Sequence, residues 1–264
     1  MKVTQFSLTV LLLVSHLLIV DVSVGKTSTN FSHEAINKAL QQAVTNNKGA
    51  DVQRLLKEGA NSSTIVQDKN LRSGLILATA RGHTKIVTLL LSNGAEVNYK
   101  DNAGLTALNW AAMRQKNAGA SQLLMWHADV NTYDNNGVTP LMYAVGTHNV
   151  ELIQLFAANG ANLNAISQAT KMTPLLVAVE QGNIQSVLLL LDLGANLNGT
   201  NHQGYTALMA AAESGQDVIL KMLVTRGAKI TARDLKGMTA LDYAQQHKHK
   251  PSIEFLKGLQ KSSE

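Results

Sequence analysis

The sequence predicts an all-α solenoid built from stacked helix–turn–helix units, about seven of them counting divergent caps at both ends, and three observations carry the prediction. A helix-start pattern occurs six times: Ser73-Gly74-Leu75-Ile76-Leu77-Ala78, Thr106-Ala107-Leu108-Asn109-Trp110-Ala111, Thr139-Pro140-Leu141-Met142-Tyr143-Ala144, Thr173-Pro174-Leu175-Leu176-Val177-Ala178, Thr206-Ala207-Leu208-Met209-Ala210-Ala211 and Thr239-Ala240-Leu241-Asp242-Tyr243-Ala244. Its first residue advances by 33, 33, 34, 33 and 33 positions. A second landmark keeps the same period, closing the units at Gly94-Ala95-Glu96-Val97-Asn98, Ala128-Asp129-Val130-Asn131, Gly160-Ala161-Asn162-Leu163-Asn164, Gly194-Ala195-Asn196-Leu197-Asn198 and Gly227-Ala228-Lys229-Ile230. Finally, each start makes a helix too short to be stable alone. Thr139 caps an orphan N–H, Pro140 suits the first helical position, and Leu141 and Ala144 share a face that only a neighbouring unit can bury.

Taken in order, residues 1–25 open with Lys2, continue in an apolar run from Phe6 to Val20, and end on Ser23-Val24-Gly25. This is the pattern of a secretory signal peptide cleaved between Gly25 and Lys26; the competing reading is an uncleaved N-terminal anchor, for which His16 and Asp21 leave only a short apolar core. Residues 26–32 read as a polar linker, 33–261 as the repeat domain and 262–264 as a tail. Ser32 is the expected cap of a first helix carrying the stripe Ile36, Leu40, Ala43 and Val44. A second stripe, Val52, Leu55 and Leu56, stops at Gly59-Ala60-Asn61.

The departures from the period are also informative. In the third unit His127 stands where the other exits have Gly, and Ala118-Gly119-Ala120 thins the second helix, making either a soft joint or a point of close packing. One extra residue between Ala165 and Lys171 should enlarge one loop. The final stripe, Ile253, Phe255, Leu256 and Leu259 interrupted by Glu254 and Lys257, reads as a cap with a polar outer face.

This double register resembles the ankyrin-repeat family, whose 33-residue unit has a Thr-Pro-Leu-His-like helix start and a Gly-Ala-Asp-Val-Asn-like exit; Gly82-His83 also matches its inter-helix turn. The resemblance covers about residues 33 to 260. It implies paired helices followed by a hairpin-like finger projecting at a right angle, with partners bound by the fingertips and the open side of each first helix. Carried over unit by unit, that surface comprises Lys69, Asn70, Arg72 and Arg81; Leu105, Met113 and Arg114; Asn135, Asn136 and Val138; Met172, Glu180 and Gln181; His202, Gln203, Tyr205 and Glu213; and Lys236 and Met238. The row Leu105, Val138, Met172, Tyr205 and Met238 is either an apolar contact surface or packing at the finger bases. Trp126, beside the unusual His127, is a binding anchor or a packing residue of the third unit. Trp110, Tyr143 and Tyr243 fall on the buried side of their helices.

Composition restricts the function. Among 264 residues 45% are apolar and 16% charged, which describes a folded chain. The net charge of +5 comes from scattered Lys and Arg, a pattern of solvated surfaces and not a nucleic-acid footprint. With no cysteine, disulfides, thiolate metal sites and Cys nucleophiles are excluded. His247 and His249, near Asp242, cannot share one helical face as metal ligands. Glu180 and Glu213 occupy equivalent places one unit apart and read as exposed helix residues, not as a catalytic pair; no Gly-rich phosphate loop follows a strand. No catalytic residue, cofactor or metal is therefore expected.

Asn30-Phe31-Ser32, Asn61-Ser62-Ser63 and Asn198-Gly199-Thr200 would be glycosylation acceptors in a eukaryotic host, whereas an exported chain without cysteine leans toward a bacterial periplasm. The expectation is a monomeric, exported, non-catalytic module that binds a partner protein, for example to neutralise a toxin or engage a host protein. The alternative is a periplasmic auxiliary protein supporting envelope or oxidative-stress defence.

Overall fold

The computed structural model describes residues 27–65 and 70–261. The signal-peptide expectation for residues 1–25, the groove position Lys69 and the tail 262–264 lie outside the described residues.

Fourteen helices, counted among the described residues, form seven consecutive pairs: α1 (Thr27–Thr45) with α2 (Gly49–Lys57), α3 (Gly74–Arg81) with α4 (Thr84–Ser92), α5 (Ala107–Met113) with α6 (Asn117–Met125), α7 (Pro140–Gly146) with α8 (Val150–Ala158), α9 (Pro174–Glu180) with α10 (Ile184–Asp192), α11 (Ala207–Glu213) with α12 (Asp217–Thr225), and α13 (Ala240–Gln246) with α14 (Lys250–Lys261). Each first helix packs on the first helix of the next pair, and second helices pack likewise on their neighbours from α2 through α10 and at α12 with α14, so the chain builds two parallel layers. Extended pairing among the described residues is limited to isolated bridges, Ile65 with Ser73 and Thr200 with Thr206.

Local chemistry explains the start of every repeated helix. The hydroxyls of Ser73, Thr106, Thr139, Thr173, Thr206 and Thr239 each accept from the backbone N–H three residues on. Asn109 and Asp242 complete capping boxes by accepting from the N–H of Thr106 and Thr239 at 3.1 and 2.7 Å. The buried faces then interlock: Leu75, Leu108, Leu141, Leu175 and Leu208 in the first layer, and Ile86, Leu123, Leu152, Ile153, Phe156, Val187 and Leu220 in the second. Exit loops are joined by a ladder of asparagines. The side-chain oxygens of Asn98, Asn131, Asn164 and Asn198 accept from the backbone N–H of Asp129, Asn162, Asn196 and Lys229 at 2.7–2.9 Å, each tying one unit to the next.

The first helix differs from expectation. Its described part runs from Thr27, so Ser32 lies inside it and does not cap it, and residues 27–32, expected as part of a polar linker, are helical. The physical reason is that neither Gly nor Pro stands between Lys26 and Lys48 to stop the helix. At the other end α14 is a cap: Ser252 and Leu256 are buried and Ile253 and Phe255 half-buried, while Glu254 and Lys257 face out.

The third unit is a close-packing point. Gly119 is buried, and a β-carbon there would stand 3.4 Å from the Thr79 methyl of α3. His127 follows α6 in the left-handed region at φ 59°, where the other exits use Gly59, Gly94, Gly160, Gly194 and Gly227. A side chain in that conformation costs roughly 1–2 kcal/mol. His127→Gly should therefore stabilise the protein by about 1 kcal/mol, read as a higher urea midpoint at unchanged slope.

Candidate partner-binding groove

Four fingers are built by one recurrent turn, and the residue that makes it stands five positions before the caps Thr106, Thr139, Thr206 and Thr239. Asp101 Oδ1 accepts from the N–H of Ala103 and Leu105 at 3.0 and 2.9 Å, Asp134 Oδ1 from Asn136 and Val138 at 2.9 and 2.8 Å, and Asp234 Oδ1 from Lys236 and Met238 at 2.9 Å each. Asn201 does the same for Gln203 and Tyr205 at 2.9 and 3.1 Å. These side chains satisfy the turn's N–H groups without help from a strand partner.

Whether the residue is a carboxylate follows from what lies nine positions on. The second oxygens of Asp101, Asp134 and Asp234 accept from Trp110 Nε1 at 2.9 Å, Tyr143 OH at 2.6 Å and Tyr243 OH at 2.6 Å. In the unit with Ala210 at that place, the turn residue is Asn201; in the unit with Val177, it is Ser167. Among the described residues a second acceptor appears only where a second donor needs it, and it couples those fingers to the first helix of their own unit.

Adjacent fingers are also joined through their backbones. Asn102, Asn135, Ala169 and Leu235 donate N–H to the carbonyls of Asn70, Ala103, Asn136 and Gln203 at 2.9–3.0 Å. The extra residue enlarges the finger at Ser167, whose N–H reaches Met172 O at 3.0 Å across one more residue than Asp134 spans to Val138. Among the described residues, no such bond joins the enlarged finger to the next, at His202.

The side where the resemblance places the partner groove, along the fingers and the first-helix layer, changes charge along the solenoid. Toward the N-terminal units the Arg72 and Arg114 guanidiniums lie over the Trp110 ring, 5.4 and 5.7 Å from its centroid. Toward the C-terminal units are two carboxylates. Glu213 accepts from the Tyr205 hydroxyl and lies 3.4 Å from His247 Nε2, while Glu180 has no hydrogen bond or ion pair among the described residues. Partial burial pushes the Glu180 carboxyl above its ordinary range, and Glu213 pushes it the same way. The Tyr205 hydroxyl is pushed up by burial first and by Glu213 second. The neighbouring His249 Nε2 meets Glu213 O at 2.8 Å, so His247, His249 and Asp242 are engaged in closing the last unit: Asp242 caps α13.

The expected contact residues divide accordingly. Arg72, Arg114, Asn135, Asn136 and His202 reach the groove side or the fingertips with solvent access, although Asn135 Nδ2 is engaged by Asn102 O at 2.9 Å. Leu105 is only 6% exposed and is corrected to core. Met113, Met172, Tyr205 and Met238 are half-buried against the core, Val138 is also half-buried, and Tyr205 meets Tyr243 edge-on at 5.2 Å, so the apolar row packs the finger bases. Arg81 donates to Thr45 O, closing the end of α1. Trp126 is 44% exposed but ends α6 in the second-helix layer, behind the groove, beside the 77% exposed Met125. Trp110 and Tyr243 are buried as expected, whereas Tyr143 is only half-buried because its hydroxyl reaches out to the finger. The residues missed by sequence reasoning are Asp101, Asp134, Asn201 and Asp234, whose recurrence five places before each cap was the available signal.

A family model described as ankyrin repeats (3 copies) matches the chain in overlapping segments, residues 10–101, 40–134, 75–167, 108–201, 148–234 and 198–263. The chain belongs to the ankyrin-repeat family. Its fold is similar to the ankyrin repeat domain of Bcl-3, an IkappaB family member, with a TM-score of 0.76 at 27% identity over 83% of this chain and 97% of that one. Curated relatives include a putative ankyrin repeat protein of Acanthamoeba polyphaga mimivirus, 38% identical over 71 residues (27% of this chain, 10% of the relative). Another is the human transient receptor potential cation channel subfamily A member 1, 41% identical over 95 residues (34% and 8%), and a third a putative ankyrin repeat protein of fowlpox virus, 32% identical over 112 residues (39% and 33%). The chain thus spans a third or less of each of these relatives. Ankyrin repeats are protein-interaction modules and generally non-catalytic, and no enzyme family is indicated. No helix among the described residues is long and apolar enough to cross a membrane.

The C-terminal cap is expected to be sensitive to acid. Burial opposes ionisation of Asp234, but bonds from the Tyr243 hydroxyl and the Met238 and Lys236 N–H groups outweigh it and hold the carboxyl below its ordinary range; bonds from Thr239 do the same for Asp242. A depressed carboxyl stabilises the fold above its unfolded pKa of about 3.9, and this contribution disappears as the pH falls through the folded value. The expected result is selective loss of amide protection in α13 and α14 below about pH 4, with Asp242→Asn less acid-sensitive, as hydrogen exchange by region would report.

Proposed function

We propose that this ankyrin solenoid is an exported, non-catalytic module that captures a partner protein in its groove, as in neutralising a toxin or engaging a host protein. The observation carrying the reading is the free charge in the groove. Arg114 and Glu180 are exposed, enter no hydrogen bond or ion pair with the rest of the fold among the described residues, and stand at the C-terminal ends of the first helices α5 and α9. Arg114 touches only the Trp110 ring face, so its charge and that of Glu180 are left without a counter-charge among the described residues and are available for recognition. Export rests on the Lys2, Phe6–Val20 and Ser23-Val24-Gly25 pattern.

The test is affinity capture from the envelope fraction of the host, with mass spectrometry, comparing the native protein with an Arg114→Ala, Glu180→Gln variant. Partners recovered only by the native protein support the reading, and equal recovery by the variant overturns the groove assignment. The recovered protein should begin at Lys26; retention of residues 1–25 in a cytoplasmic fraction would overturn export.

A further inference from the structure

We infer that the solenoid is hinged between its fifth and sixth units, so that the first five units move as one body and the last two as another, rocking about the contact of α9 with α11. The hinge belongs to the array itself and does not depend on a partner in the groove.

Three kinds of tie recur along the array, and each is missing or weakest at this one junction. The first is the finger bond. Asn135 donates its N–H to Ala103 O, Ala169 to Asn136 O and Leu235 to Gln203 O at 2.9–3.0 Å, but among the described residues no such bond joins the finger at Ser167 to the finger at Asn201. The second tie joins the turns inside the helix pairs, through the residue before each second helix. Asn149 Nδ2 donates to Asn117 Oδ1 at 2.8 Å, Asn183 Nδ2 meets His148 Nδ1, and His249 Nε2 meets Glu213 O at 2.8 Å, linking the third unit to the fourth, the fourth to the fifth and the sixth to the seventh. Gln216 holds that place in the sixth unit. It lies over Gly182 of the fifth, where a β-carbon would stand 3.6 Å from its Nε2, yet its buried Oε1 has no hydrogen-bond partner.

The third tie is the packing of second helices, and α10 and α12 approach each other least of the consecutive pairs in that layer. Where α4, α8 and α12 bury Ile86, Leu152 and Ile219 as their third residue, α10 has Ser186, fully buried and with its hydroxyl unpartnered. A short side chain leaves the layer without the branched group that interlocks elsewhere, and the unmet hydroxyl adds a cost of its own. Like charges also face this junction, Glu180 at the end of α9 and Glu213 at the end of α11.

The first helices are the exception, because α9 still packs on α11. The polar ties that cross with them are the bond from the Lys229 N–H to Asn198 Oδ1 at 2.8 Å and the Arg226–Asp192 ion pair at 2.7 Å, both at exposed groups where such contacts contribute little. Beyond the junction the last two units are firmly joined: α11 packs on α13, Tyr205 meets Tyr243 edge-on at 5.2 Å, and Ser252 Oγ donates to Asp217 Oδ1 at 2.6 Å. A packed line with loosened contacts on its finger side and in the layer behind it is a pivot.

The chain has no cysteine, so introduced pairs carry spin labels without competition. Lys85, Ala118, Glu151, Gln185 and Val218 are the exposed second residues of α4, α6, α8, α10 and α12. Labels two units apart stand roughly 16–20 Å from each other at about 8–10 Å a step, a separation that dipolar electron resonance reads as a distribution. The expected result is that Glu151→Cys with Val218→Cys, which spans the junction, gives a broader distribution than Lys85→Cys with Glu151→Cys or Ala118→Cys with Gln185→Cys, which do not. Adding Ser186→Ile should narrow the first pair and leave the other two unchanged. Equal widths in the three pairs would overturn the hinge, and a pair from Ala118 to Gln185 as broad as the spanning pair would overturn its place in the chain. A spanning width untouched by Ser186→Ile would overturn the share assigned to the second layer. Circular dichroism checks that each labelled variant is folded, and if Ser186→Ile does not fold, the three pairs in the otherwise native chain still decide for or against the hinge.

Discussion

Replacing Phe156 with alanine should cost about 3–5 kcal/mol and, more tellingly, split the unfolding of the chain in two. Phe156 is the largest of the fully buried side chains, completely enclosed in α8 together with Leu152 and Ile153. Its second-layer neighbour α6 offers Gly119, Ala120 and Leu123 as buried residues, so Phe156 is the bulkiest buried side chain at this pair of helices. In a solenoid, each unit touches only its neighbours, and stability is a sum of unit and interface terms. A large cavity in the fourth of seven units therefore weakens both of its interfaces and removes the coupling between the two halves. Trp110 and Trp126 both belong to the third unit, so tryptophan fluorescence reports the N-terminal side while far-ultraviolet circular dichroism reports all helices. In the native protein the two probes should give one urea transition; in Phe156→Ala they should separate. Coincident transitions at a cost below about 1 kcal/mol would show that the centre is not where the array is coupled.

Why the repeat was legible and the groove was not comes down to which positions are repeated. The threonine caps, the leucine and alanine of each first helix and the exit glycines recur because every unit solves the same local problem: an orphan N–H, a face to bury, a left-handed turn. Those needs are written in each unit's own residues, so their spacing alone gives the helix pairs. The start of α1 is obscured for the opposite reason: Ser32 is a good cap by type, but nothing before it breaks the helix.

The finger positions depend on the neighbouring unit. Leu105 and Met238 stand at the same place as Arg72 in sequence, and no feature of the residue itself distinguishes a finger base covered by the adjacent finger from an open groove wall. Packing decides it, and here the packing buries Leu105 while leaving Arg72 half-buried over Trp110. Trp126 illustrates the same limit. It is an anchor by residue type, but it ends a helix of the layer behind the groove. By contrast, the coupling of turn and aromatic residue was written in the chain. Asp101, Asp134 and Asp234 precede Trp110, Tyr143 and Tyr243 by nine residues, while Asn201 precedes Ala210.

That coupling gives the second large effect. Asp134→Ala should destabilise the protein by about 2–4 kcal/mol, far more than an exposed loop substitution. Asp134 is buried and accepts from three donors, the N–H groups of Asn136 and Val138 and the Tyr143 hydroxyl. Truncation leaves all three without their acceptor in a region where water has limited access, and the cost of unmet donors exceeds the net worth of the bonds themselves. Asp134→Asn keeps an oxygen for the two N–H groups, as Asn201 does naturally, and disturbs only the Tyr143 contact, so its cost should be about 1 kcal/mol. Tyr143→Phe removes that same contact from the other side. If the pair works as described, the Asp134→Asn and Tyr143→Phe costs will not add in the double variant. Asp134→Ala, in contrast, will remain costly when combined with Tyr143→Phe, because the turn N–H groups are still unmet. Urea denaturation of the single and double variants decides it, and the loosened finger gives an independent readout: faster amide exchange at Asn135, whose N–H is the bond to the Ala103 carbonyl of the preceding finger. An Asp134→Ala cost equal to that of Asp134→Asn would mean that the turn holds without its side-chain acceptor, and that the fingers owe their shape to one another and not to the residue five places before each cap.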